Sequence, residues 1–152
     1  PMYVLWTKFG LTGGLSGLVL AYLGLTIPLN VWMLSIFIKE IPFELEEAAA
    51  IDGCSYMRIL WGIVVPLIKP GISVTSVFTF RTAWNEFLLA IILSNRSTRT
   101  LPAAVSLMIS DLGINWGQIM AMATIIAIPA FIVTFACSKN LITGMTAGAV
   151  KG

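Results

Sequence analysis

Charged residues are sparse along this chain, and the uncharged runs between them are its first organising feature. Residues 9–38, bracketed by Lys8 and Lys39, contain no charge. A helix needs about 20 apolar residues to cross a bilayer core. Gly10, Gly13, Gly14 and Gly17 open the run, so the pattern predicts loop first and a spanning helix over 16–38. Pro28 lies inside it, which a membrane helix tolerates where neighbouring groups satisfy the freed carbonyl. A second run, 66–93, holds Lys69 near its start and is interrupted by Arg81 and Glu86, and a third, 111–139, is uncharged between Asp111 and Lys139 and contains Pro129. Residues 94–102 (SNRSTRTLP) cluster Ser, Asn, Thr and Pro and read as a polar connector. The prediction is three spans, with the start of the chain the end of a preceding one. Gly13, Gly17 and Ala21 predict a small-residue stripe for close helix packing.

Between the first two runs lies a segment of a different kind. Residues 39–58 hold five of the seven acidic side chains: Glu40, Glu44, Glu46, Glu47 and Asp52. Pro42 suits the first helical position, and Glu44, Glu46 and Glu47 then fall in or near the first turn, where the helix dipole favours negative charge. Leu45, Ala48 and Ala49 follow at helical spacing. Gly53 can end the helix in a left-handed conformation, and Ser55 can cap a second helix over 56–61. The pattern is helix, glycine corner, helix, in water between two spans.

Composition sharpens this picture. The chain is 58% hydrophobic and 11% charged, with a mean hydropathy of +0.94; an ordinary soluble domain is about 25% charged. The surplus apolar surface points to lipid. There is no histidine, and the two cysteines, Cys54 and Cys137, are too few for a disulfide framework or a Cys-rich metal site. No HExxH or GxxxxGK[ST] string occurs, and Asp52 and Asp111 both flank spans rather than sit inside them. No catalytic residue, cofactor or metal is expected, and a net charge of +2 offers no stripe for nucleic acid.

Orientation follows from Lys and Arg near span ends, which favour the cytoplasm. Lys39, Arg58, Lys69, Lys139 and Lys151 fall on one side and Lys8, Arg96 and Arg99 on the other, which turns the acidic loop and the C-terminal tail inward. Both thiols then face a reducing compartment and stay free. Trp6, Trp32, Trp61, Trp84 and Trp116 read as interface anchors or packing groups. Arg81 and Glu86, about 140° apart around one helix, are poorly placed to pair. A charge within a span is by default a functional candidate. Arg81 needs a partner on another helix or a watery cavity, while Asn85 and Glu86 either line a translocation path or reach the interface.

The acidic loop also carries a spaced motif. Glu47-Ala48-Ala49 is followed after three residues by Gly53, after nine more by Ile63, and after one more by Val65-Pro66. This resembles the EAA motif of bacterial ABC-importer permease subunits, with Val65 where leucine is usual. The strings IPFELEEAAAIDG, AWNEFL, NWGQIMA and MTAGAVKG resemble the carbohydrate-uptake branch, in particular the smaller permease of maltose-type systems. The resemblance covers the whole chain and implies an all-α integral membrane fold, the second half of a six-span permease, with the first half outside this sequence.

The resemblance further implies that 40–62 is a cytoplasmic coupling loop. Within it Leu45, Glu47, Ala48, Ala49, Asp52 and Gly53 serve coupling to a separate ATP-hydrolysing subunit, and just past it Ile63 and Pro66 fix how the loop's motion passes into the second span. Small alanines would let the helix sit deep in a partner's groove. The tail, 139–152, would touch the ATPase subunits through Thr146, Gly148 and Lys151. The implied partners are an ATPase dimer, a second permease, an extracytoplasmic solute-binding protein and the lipid bilayer. Arg81 is unusual for its position in the family. A permease for a non-sugar solute, or a passive channel or scaffold, is the competing reading; only an importer depends on an ATPase.

Overall fold

The structure, a computed structural model, describes residues 2–110 and 113–147, and of 109, 110, 113 and 138–147 the backbone alone. Among the described residues, two helices are long and apolar enough to cross a membrane: α2 (Leu15–Lys39) and the Trp116–Cys137 part of α9 (Trp116–Ala147). A third crossing results if the helical stretches Tyr56–Leu67 and Lys69–Asn85, which meet at a 74° bend, form one span. The described chain divides into two compact units. One is built from residues up to Ile27 together with Phe80–Thr134, the other from Pro28–Thr79 together with residues from Phe135 on.

The first unit begins with α1 (Met2–Lys8), a helix where the sequence predicts the end of a preceding span. Gly10 and Gly13 have φ of 65° and 77°, left-handed values that a glycine adopts without strain. Gly13 therefore stands in a turn, outside the small-residue stripe expected of it, and the stripe is carried by Gly17 and Ala21, both buried. A side chain at Gly17 would collide with the Leu11 carbonyl. The Gly17 carbonyl accepts a 2.8 Å hydrogen bond from Trp6 Nε1, which ties α1 to α2. Leu18, Ala90 and Ala103 form the buried centre, joined by Tyr22. Ala90 belongs to α7 (Leu88–Leu93) and Ala103 to α8 (Leu101–Ser106).

The polar connector is ordered by Asn95. Its Oδ1 accepts from the Ser97 and Thr98 backbone N–H groups at 2.9 and 3.1 Å, an Asx-type turn. Helix α8 was not predicted; its six residues start at the end of the connector with Pro102 in the first turn. Also unpredicted is a two-residue antiparallel bridge, β1 (Ile109–Ser110) to β2 (Gly113–Ile114). The last span then starts at Trp116, not at 111, because this bridge occupies the residues before it.

The second unit holds the acidic segment: α3 (Phe43–Ile51), α4 (Tyr56–Ile59), a π turn over Leu60–Val64, α5 (Val65–Leu67) and the start of α6 (Lys69–Asn85). Its core is Ala49, Ile59, Val64 and Ile68, packed by Phe37, Ile41, Cys54, Ile63 and Ile72. Gly71 is buried because the Phe37 ring lies where a Cβ would be. Thr79 Oγ1 donates to Asn30 Oδ1 at 2.6 Å, a polar link between helices in an otherwise apolar environment.

Three predicted boundaries move. Pro42 is the N-cap residue of α3 (φ −59°, ψ 127°), one place before the first helical position expected for it. The second helix of the acidic loop runs past 61, continuing through the π turn to Leu67. A proline has no N–H, and its ring clashes with the carbonyl four residues back; Pro66 lies just past the widened turn that accommodates this. The second span is not continuous from 66 to 93. It restarts at Lys69, where Pro70 is tolerated in the first turn, and stops at Asn85 before α7.

Candidate functional site

The EAA segment is built on α3 and the corner that ends it. At the C-terminus of α3, the Gly53 N–H donates to the Ala50 carbonyl and the Cys54 N–H to the Ala49 carbonyl, both at 3.0 Å. With Asp52 as the C-cap and Gly53 at φ 78°, this pairing is a Schellman motif. Cys54 packs against the cluster that contains Ala49, the apolar contact that accompanies such corners. Gly53 thus has the left-handed conformation its place in the sequence predicts. Ser55 stands at the N-cap of α4 with an extended backbone (ψ 156°), but its hydroxyl makes no capping bond.

The segment's side chains divide between two faces. Glu47, Ala48, Asp52 and Gly53 are exposed, as is Leu45 at 44%. Phe43, Glu47 and Ile51 follow at intervals of four and line up along α3, with Phe43 66% and Ile51 86% exposed. Tyr56, just past the corner, is 91% exposed. Ala49 points the other way and is 7% exposed against Ile59, Val64 and Ile68. The expectation that both alanines enter a partner's groove is therefore corrected for Ala49, whose small side chain lets α3 approach the chain's own helices. Ile63 is half-buried on the same core and Pro66 is exposed.

A second polar group lies in the other unit, around the break between α6 and α7. Glu86 is half-buried, and its two oxygens accept from the Leu89 and Ala90 backbone N–H groups at 2.8 and 3.2 Å. It caps α7, satisfying amides that a helix start leaves open. Tyr22 Oη donates to the Glu86 carbonyl at 3.4 Å. Trp84 stacks on Phe80 with ring centroids 5.4 Å apart, and its Nε1 donates to the Ile126 carbonyl at 3.0 Å. Trp84 and Trp6 are thus hydrogen-bonded packing groups, whereas Trp32, Trp61 and Trp116 are each more than 60% exposed.

Of the three residues suggested for a translocation path, two come together. Arg81 and Asn85 line a cavity of about 380 Å³ with Ala127, Ala130, Phe131 and Thr134. Glu86 does not join them, because the helix break turns its carboxylate onto α7. Thr134 and Phe131 were not singled out from the sequence. Positions 127, 130, 131 and 134 do form one helical face, but no local signal says what that face meets. In the tail, Thr146 falls within α9, which is helical as far as Ala147. Gly148 and Lys151 lie outside the described residues.

These features agree with what the chain is similar to. Residues 1–146 match the family described as binding-protein-dependent transport system inner membrane component. A diacetylchitobiose uptake system permease protein of Streptomyces coelicolor is 34% identical over 99% of this chain and 55% of its own length. A trehalose/maltose transport system permease protein of Thermococcus litoralis is 35% identical over 95% of the chain and 53% of its own. A probable starch degradation products transport system permease protein of Thermoanaerobacterium thermosulfurigenes is 39% identical over 90% and 50%. The chain spans between half and two thirds of the length of the curated relatives it matches. A predominantly helical fold with membrane-length helices, the EAA loop and a family match over nearly the whole sequence lead to one assignment: the chain belongs to the inner-membrane permease family of binding-protein-dependent ABC transporters.

Proposed function

We propose that this chain is the second half of the membrane-spanning subunit of a bacterial ABC importer, moving a sugar or oligosaccharide across the inner membrane. ATP hydrolysis is assigned to a separate pair of subunits, delivery to an extracytoplasmic binding protein, and the rest of the pore to a second permease. The observation that carries the reading is the EAA loop, an exposed helix ended by a glycine corner and joined through Pro66 to a membrane-length helical pair. The carbohydrate cargo is supported by the names of the relatives.

The proposed mechanism uses the geometry of the second unit. The exposed row of Phe43, Glu47 and Ile51 meets a cleft on the ATPase, with Glu47 facing a basic side chain there. Leu45, Ala48 and Asp52 flank that row. When the ATPase dimer closes, α3 is pulled. The Schellman corner and the Ala49–Ile59–Val64–Ile68 core make α3, α4 and α5 move as a block, so the pull reaches α6. The permease then turns from inward-facing to outward-facing. Thr146, Gly148 and Lys151 in the cytoplasmic tail add a second contact with the ATPase.

Co-purification from detergent, using the full-length protein with its partner subunits, tests this. The ATPase is expected to come down with the wild type and to be lost with Glu47→Lys, which reverses the charge on the docking face without touching the core. Retention of the ATPase by that variant, or its absence from the wild type, would remove the coupling role of α3 and favour a channel or scaffold.

A further inference from the structure

Arg81 has no local reason to be where it is. It lies near the end of α6, four positions before Asn85, and the only other charge among residues 70–93 is Glu86. A guanidinium on a membrane-length helical pair is placed to face water or a specific partner. The nearest carboxylate along the chain is Glu86, and both its oxygens are already held by the α7 amides. Arg81 is exposed and opens onto the 380 Å³ cavity, a volume within the range of small-ligand sites.

The rest of the lining decides what chemistry fits there. Ala127 and Ala130 leave room opposite the guanidinium, and Phe131 supplies an apolar wall. Thr134 spends its one O–H on the Ala130 carbonyl at 2.7 Å, and Asn85 Nδ2 donates to the Arg81 carbonyl at 2.9 Å. The guanidinium is therefore the dominant donor: planar, permanently charged and unable to accept a hydrogen bond. A neutral sugar hydroxyl would use one of its five N–H groups. A carboxylate, sulfonate or phosphate would take two at once and balance the charge.

We propose that Arg81 is a specificity residue of the translocation path and that the cargo is an anionic sugar, carrying a carboxylate, sulfonate or phosphate that this guanidinium meets in transit. This rests on the importer reading above.

The test is uptake by the assembled full-length transporter, with its binding protein, in proteoliposomes. Maltose and xylobiose serve as neutral probes. An aldobiouronic acid, a 6-sulfonated glucose and glucose 6-phosphate serve as anionic ones. The expected result is uptake of at least one anionic probe in preference to the neutral ones. Arg81→Gln then lowers that uptake tenfold or more and Arg81→Lys retains part of it. The KM of the wild type should also rise with ionic strength and that of Arg81→Gln should not. If Arg81→Gln fails to assemble, Arg81→Lys decides, through a raised KM for the anionic probe at unchanged maximal rate. Efficient uptake of neutral sugars alone overturns the inference and leaves the importer reading standing. Uptake of no sugar of either kind overturns both. A loss in Arg81→Gln that is equal for all probes, or that is reversed by phosphatidylglycerol content, assigns Arg81 to packing or to a lipid headgroup and overturns the inference.

Discussion

Glu86 illustrates how far a side chain's role depends on the backbone beside it. In the sequence it is an acid interrupting an apolar run; in the fold that run breaks at Phe87 (φ −124°, ψ −27°), and the carboxylate turns back onto two amides of α7. A negative group at this end also meets the positive pole of the short helix. Glu86→Ala is expected to lower the stability of the solubilised protein by about 1–2 kcal/mol. Glu86→Gln keeps one acceptor and should cost less, both read as shifts in thermal unfolding. An unchanged midpoint for Glu86→Ala would mean the cap contributes nothing. Gly53 was legible in advance, because only a residue tolerant of positive φ suits the end of a helix before a second one. Ala49 was not: neighbours in a helix point about 100° apart, so Ala48 and Ala49 can fall on opposite edges of one face, and which one turns inward depends on Ile59, Val64 and Ile68 arriving from beyond the corner.

The long helices followed from the sequence because a charge-free run of sufficient length has few alternatives in lipid. The interval 16–38 expected for the first span and Leu15–Lys39 in the structure differ by one residue at each end. The broken second span was less accessible, since Asn85 and Glu86 are compatible with a continuous helix until tertiary contacts from Tyr22 and Trp84 are included. Helix α2 allows its packing to be tested with two glycines. A methyl group at Gly17 would meet the Leu11 carbonyl, whereas at Gly24 nothing lies within 4 Å. Gly17→Ala is expected to destabilise by about 1–3 kcal/mol, as overpacking does. Gly24→Ala should be neutral or stabilise by up to about 1 kcal/mol by stiffening the unfolded chain. Equal unfolding temperatures for the two variants would contradict the close approach at Gly17.

For the whole molecule, orientation is the property most open to direct measurement. The orientation proposed from the Lys and Arg distribution has the loop around Ile51 in the cytoplasm and the loop around Ser97 outside. In a background lacking Cys54 and Cys137, Ser97→Cys should react with a membrane-impermeant maleimide in intact cells, and Ile51→Cys only in inverted vesicles; the reverse pattern would invert the topology. The π turn at Leu60–Val64 has a consequence of another kind. Such a turn holds a residue more than an α-helical one. Returning that surplus to regular pitch would rotate the helix beyond it by about 100° and shift it about 1.5 Å along its axis. Between the glycine corner and Pro66 the chain thus carries one residue of extra winding, which sets the rotation and axial position of the helix beyond it.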